Sequence, residues 1–149
     1  MKDTAPLVQM LLDPAMTESQ RHDLCATAIE NGLYSAMRYH PDTVEVERIA
    51  STMPDIYPIA GRKPKKDTPW GHKVLIHQHI NVGNGPDDIR WAFSDHETIL
   101  GLGLDQVLNV PVVRGEQVIG TINYLRASKP FTEQEQTRAR LLAACLALP

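Results

Sequence analysis

The chain carries six histidines, and four of them, His72, His77, His79 and His96, fall in its middle third. Histidine ligates metals and moves protons near neutral pH. His72 and His77 are five apart, which takes them off a shared helix face, and no H-E-x-x-H run accompanies them, so a zinc site lacks its ligand set. A haem needs a single axial histidine. His72 is the candidate, with His77 and His79 as alternates, and Arg62, Lys63 and Lys65 stand near enough in sequence to pair with propionates. Asp95-His96 offers an acid–base pair, although Ser94-Asp95 reads equally well as a helix start. Arg62 can grip a carboxylate through two parallel hydrogen bonds. With Lys63 it leads into a helix start at Asp67, where exposed amides favour an anion. The same basic run also reads as a solvated loop.

These groups need elements to hold them. Residues 4–12 suit a short helix that Asp13-Pro14 breaks. Thr17-Glu18-Ser19-Gln20 is a capping box, opening a helix expected to reach Asn31 with Gly32 at its left-handed end. Leu33–His40 and Thr43–Ser51 form a hairpin around Pro41-Asp42, with Val44 and Val46 on one face and Glu45 and Glu47 on the other. Residues 54–66, with three prolines and a glycine, read as an ordered loop. Asp67 then caps a helix with Pro69 in its first turn, running to about Gln78. A short strand at 79–82, a turn at Asn84-Gly85-Pro86, and a helix from Ser94 to about Leu100 follow. Val107–Val113 and Gln117–Arg126 make a second hairpin around Arg114-Gly115-Glu116. Thr132-Glu133-Gln134-Glu135 is another capping box, opening a helix with Leu141, Leu142, Cys145 and Leu146 on its apolar side, before the chain stops at Pro149.

Strand pairs separated by helices specify an α+β fold, an antiparallel sheet with helices packed on it. Alternation puts Leu108, Val110 and Val112 on one face of their strand and Asn109 and Pro111 on the other. In the next strand Ile119, Thr121, Asn123 and Leu125 share a face. Asn109, Thr121 and Asn123 thus make a polar set, able to bind a ligand or to satisfy neighbouring backbone. Trp70, Trp91 and Phe93 line a flat ligand or fill the core.

The length, 149 residues with 42% apolar and 22% charged side chains, suits one domain, residues 1–149 with a helical lead-in over 1–16. A net charge of −3 gives no basic face for nucleic acid. No apolar run is long enough to span a membrane, and acidic residues interrupt the first thirty, so no signal peptide is expected. The cytoplasm is the expected compartment. Cys25 and Cys145, the two cysteines, read as small buried hydrophobes.

From Leu108 to Ala147 the sequence resembles the closing hairpin and helix of GAF domains. Val110-Pro111-Val112 matches their "VPV" strand, Gly120-Thr121-Ile122-Asn123 their "VIGTLNL" strand, and Phe131-Thr132-Glu133 their "FTEED" helix start. The element order extends the likeness over residues 17–148. It implies a sheet with the terminal helices on one face and cross-over helices roofing a ligand pocket on the other, with Asn109, Thr121 and Asn123 on the pocket floor and Arg62, Lys63, Trp70 and His96 in the roof. Relatives of this type bind cyclic nucleotides, tetrapyrroles, haem, amino acids or aromatic acids. The free methionine sulfoxide reductases among them work through cysteines before the "VPV" strand. Leu100–Asp105 carries none, so that thiol chemistry is excluded.

Three readings follow. The chain is a binding module for a small, anionic ligand or cofactor, sensing in trans because no output domain follows; or a small enzyme, a haem-dependent lyase, isomerase or hydrolase of a small acid using roof His, Arg and Asp; or an assembly module whose terminal helices form a homodimer.

Overall fold

The computed structural model describes residues 3–148; Met1, Lys2 and Pro149 lie outside the described residues. Six helical segments and six strands follow one another as α1 (Ala5–Leu11), α2 (Glu18–Ala28), β1 (Leu33–His40), β2 (Glu45–Ser51), β3 (Arg62–Pro64), α3 (Pro69–Gly71, continuing as a π-helical turn His72–Ile76), β4 (Asn81–Asn84), α4 (Pro86–Ala92), α5 (His96–Gly101), β5 (Gln106–Arg114), β6 (Gln117–Arg126) and α6 (Glu133–Leu146). The strands form one sheet in the order β3-β2-β1-β6-β5-β4, with every neighbouring pair antiparallel. The α+β expectation holds.

Both capping boxes form. Thr17 accepts from the Gln20 amide and Thr132 from the Glu135 amide, and each partner side chain reaches back. Helix α2 stops three residues earlier than expected, because side chains take its last carbonyls. The Tyr124 hydroxyl donates to Cys25 O (2.8 Å), Asn31 to Ala26 O (2.7 Å) and Arg138 to Ala28 O (2.9 Å). Gly32 is therefore not a left-handed cap. A Cβ there would stand 2.8 Å from Leu104 Cδ2, so a larger residue would have to displace that side chain.

Four further expectations change. The loop over 54–66 contains β3, which pairs with the outer edge of β2. Asp67 does not cap α3; Thr68 does, its hydroxyl accepting from the Gly71 amide (3.0 Å). The expected helix to Gln78 becomes a short α turn and a π turn closed by the His77 amide on His72 O (2.8 Å). The turn at Asn84–Pro86 leads straight into α4, with Pro86 as its first residue rather than only part of a turn.

The helix-covered face is built as alternation requires. Leu108, Val110 and Val112 pack with Tyr34, Ala36, Ile122 and Tyr124 against Cys25, Ala139, Leu142 and Ala143 of α2 and α6. In α6 the inward stripe is Ala139, Leu142 and Ala143, whereas Leu141 is exposed. In β6 the alternation slips: Val112 pairs with Gly120 and Val113 with Val118, leaving Ile119 as an extra, bulged residue. Ile119 thus joins the helix-covered face and Val118 the opposite one, not the shared face with Thr121 that a regular strand would give.

The opposite face is roofed because the chain crosses from β3 at one edge to β4 at the other. Two apolar clusters form under this roof. One contains Leu33, Tyr57, Ile99, Val107 and Leu125; the other contains Val46, Trp70, Val74, Leu75, Ala92 and Val118.

Candidate functional site

Between these two clusters lies a cavity of about 50 Å3. Its apolar walls come from Leu33, Met37, Val46, Trp70, Phe93, Ile99 and Leu125. A cavity of that size takes a few waters or a small molecule, not a macrocycle.

Its floor is a polar row running straight across the sheet. Asn81, Asn109, Asn123 and Ser35 are direct cross-strand neighbours on β4, β5, β6 and β1. Each links to the next: Asn81 Nδ2 donates to Asn109 Oδ1 (3.0 Å) and Asn109 Nδ2 to Asn123 Oδ1 (2.9 Å). Asn123 Nδ2 faces Ser35 O (3.3 Å) and Thr121 Oγ1 (3.2 Å). From the roof, Trp70 Nε1 donates to Asn109 Oδ1 (3.0 Å), and Lys73 Nζ to Asn81 Oδ1 (3.0 Å). This row satisfies its own members, as buried amides must, and it ties the roof to the floor. Asn109→Ala is expected to lower stability by about 2–3 kcal/mol, because Trp70, Asn81 and Asn123 each lose a buried partner. A urea midpoint measurement checks the loss, and a red shift of tryptophan fluorescence reports the released indole.

Charge enters from one side. Arg48, Lys63, Lys65 and Asp95 line the cavity together with Tyr57. Arg48 is 6% exposed, and its Nη1 donates to Pro58 O (3.1 Å) while its Nε has no partner. Its guanidinium lies 5.0 Å from the centre of the Tyr57 ring. Burial pushes its pKa down, opposed by the negative charge of Asp95. The Tyr57 hydroxyl is buried without a hydrogen bond, and burial followed by the nearby Asp95 charge pushes its pKa up. Lys63 pairs with Asp95 at 3.4 Å. Lys65 Nζ sits 5.1 Å from the Trp70 ring centre. Asp95 stands at the N-cap position of α5 but makes no cap bond, and its carboxylate is turned toward Lys63 instead. Ser94 does not cap that helix.

The residues singled out in the sequence divide accordingly. Lys63, Trp70, Asn109 and Asn123 line the cavity. Thr121 is buried beneath the row, bonded to Asn123, and is not part of the lining. Arg62 is exposed on β3 and faces Glu45 at 3.5 Å. His96 is half-buried with an unpartnered Nδ1, outside the lining and without a bond to Asp95. His72, His77 and His79 are exposed and outside the lining. A haem does not fit: none of the three histidines reaches the cavity, which is itself too small for a macrocycle. Among the described residues no group of three or more His, Cys, Asp or Glu side chains is placed to hold a metal ion. Phe93 lines the cavity, whereas Trp91 is exposed under Lys73. Neither cysteine lines it; both are free, and burial pushes the Cys25 thiol up to about 12. Arg48 escaped the sequence reading, although an arginine two places after Val46 falls on the inward strand face, and that was the available signal.

By sequence, no protein-family model and no curated protein matches the chain. Solved structures match it closely in shape. The GAF domain of a phosphoenolpyruvate-protein phosphotransferase from Acinetobacter is 15% identical at a TM-score of 0.74, covering 99% of this chain and 92% of that one. The corresponding domain from Coxiella burnetii is 13% identical at 0.75, covering 97% and 90%. The phycocyanobilin-bound GAF domain of a cyanobacterial phytochrome is 12% identical at 0.73, covering 99% and 93%. The fold is that of GAF domains. Among the described residues no helix is long and apolar enough to cross a membrane.

Proposed function

We propose that this GAF-fold chain is a binding domain for a small organic acid, held with its carboxylate on Arg48 and Lys63 and its carbon skeleton against Trp70, Phe93 and Leu125. The observation that carries this reading is the charge of the cavity. Three cations face one carboxylate inside apolar walls, and one of those cations is buried with a donor unused. A buried cation without full partners is costly, and an incoming anion would supply what is missing. The cavity's size favours an acid of a few carbons. The tetrapyrrole of the cyanobacterial relative is far larger, so the shared fold does not extend to a shared ligand.

A thermal-shift and tryptophan-fluorescence titration with short carboxylates and their neutral amides tests this reading. Acids are expected to stabilise the protein, by about 2.7 kcal/mol at a hundred times the dissociation constant, and to perturb Trp70 emission. Equal response to acids and amides, or none to either, would remove the basis for an anion site. Signalling in trans and homodimer formation through the terminal helices are compatible with this role and form part of the proposal.

A further inference from the structure

Resting on the small-acid reading, we propose a covalent role for the cavity: the ε-amine of Lys65 captures the carbonyl carbon of a small 2-oxo acid as an imine. Lysine nucleophiles of this kind work where the amine is desolvated and stands beside other cations. Lys65 meets both conditions by position. It is half-buried in the cavity wall and lies over the Trp70 ring. Lys63, its neighbour in the lining, is committed to Asp95, whereas Lys65 makes no ion pair among the described residues.

The backbone aims this amine from a fixed point. The Lys65 amide donates to Val44 O (2.9 Å), and its carbonyl accepts from the Thr68 hydroxyl (2.7 Å) and the Thr68 amide (3.2 Å). Lys65 therefore sits clamped between β3 and the first turn of α3. Burial, and after it the charge of Lys63, lowers its pKa, with Asp95 acting in the opposite direction and Arg48 adding to the fall. A larger share of the amine is thus neutral and nucleophilic than for a surface lysine.

The reaction balances without any other reagent. The neutral amine attacks the carbonyl carbon, the C–O π bond breaks, and the resulting carbinolamine takes up a proton and loses water. Counted from the ammonium form, Lys–NH3+ and the carbonyl give the protonated imine and one water. Arg48 and Lys63 would hold the carboxylate of the acid, while Asp95 would face the positive charge of the iminium. The Tyr57 hydroxyl lies on the same wall, kept protonated by burial and by the charge of Asp95.

The test is reductive trapping of the full chain with 2-oxobutyrate and sodium cyanoborohydride near neutral pH, read by intact mass and peptide mapping. One stable adduct is expected, on Lys65, in excess over exposed Lys66 by on the order of tenfold or more. Excess butyrate, which has no keto group to capture, should suppress it. Lys65→Arg keeps the charge but offers no primary amine to condense, and should lose the adduct. Labelling spread over exposed lysines, or an unchanged adduct yield in Lys65→Arg, overturns the proposal. If butyrate stabilises the protein but Lys65 stays unlabelled, carbonyl capture falls and acid binding stands. If neither effect is seen, both fall together.

Discussion

Arg48→Met should abolish the response to small carboxylates while leaving the ligand-free protein as stable as before or more so. The guanidinium has one hydrogen bond, to Pro58 O at 3.1 Å, and one buried nitrogen with no partner. Its charge is maintained against desolvation, and the opposing carboxylate, Asp95, is paired with Lys63. Replacing an incompletely paired buried ion by an apolar side chain of similar reach is often neutral or stabilising. The strand itself is not disturbed, because its pairing with the loop uses the backbone, Arg48 N to Gly61 O and Ala60 N to Arg48 O. The ligand, by contrast, loses its charge-assisted contact at the centre of the site. Such truncations cost about 2–5 kcal/mol, so affinity is expected to fall by about thirtyfold or more. Calorimetric titration with a short carboxylate measures the second effect and the melting temperature of the empty protein the first. A variant that binds acids normally would move the anion site elsewhere. One that melts many degrees lower would make Arg48 a structural clamp between β2 and the Tyr57 loop.

Arg48 leaves no mark in the hydrophobic pattern of the sequence. Hydrophobic alternation locates strands because burial repeats every second residue. It made β5 and β6 legible, along with the helix-covered face of Leu108, Val110 and Val112 and the opposite placement of Asn109 and Asn123. Capping boxes made the starts of α2 and α6 legible, since their chemistry is local. What stayed hidden depends on distant partners. Arg62 and Arg48 have the same side chain, and only the pairing of β3 with β2 decides that Arg62 meets Glu45 at the surface while Arg48 enters the cavity. The end of α2 is set by side chains from Tyr124 and Arg138, about a hundred residues away. The bulge at Ile119 leaves no local signal either: it shows only in the register with β5, beside Gly120, where any Cβ would collide with Met37 O on β1.

Arg126 is the other residue whose loss should be severe, this time for stability. Its five N–H donors are all engaged. Nε donates to Lys129 O (2.7 Å), Nη1 to Glu30 O (3.0 Å) and Glu135 Oε2 (2.8 Å), and Nη2 to Pro130 O (2.8 Å) and Glu135 Oε1 (2.7 Å). The guanidinium also lies 4.1 Å from the centre of the Phe131 ring. One side chain thereby joins the end of β6, the segment after α2 and the start of α6. Arg126→Met strands a carboxylate and three carbonyls and should cost about 3–5 kcal/mol, read as a lower denaturant midpoint. The partner makes the effect depend on pH. The Arg126 fork, helped by the Thr132 amide, holds the Glu135 carboxyl at about 2, from an ordinary 4.5. A carboxyl whose pKa is lower in the folded state stabilises above its unfolded value, and that contribution disappears as pH falls through the folded one. Between about 4.5 and 2, then, the native protein should lose up to about 3 kcal/mol from this pair. Arg126→Met should lose little over the same interval, because the anion it held no longer has a cation to favour it. Stability curves of the two proteins that stay parallel from neutral pH down to 2 would show that the fork contributes through packing alone. Curves that converge as acid is added would show that it is the ion pair between β6 and α6 that fastens the last helix to the sheet.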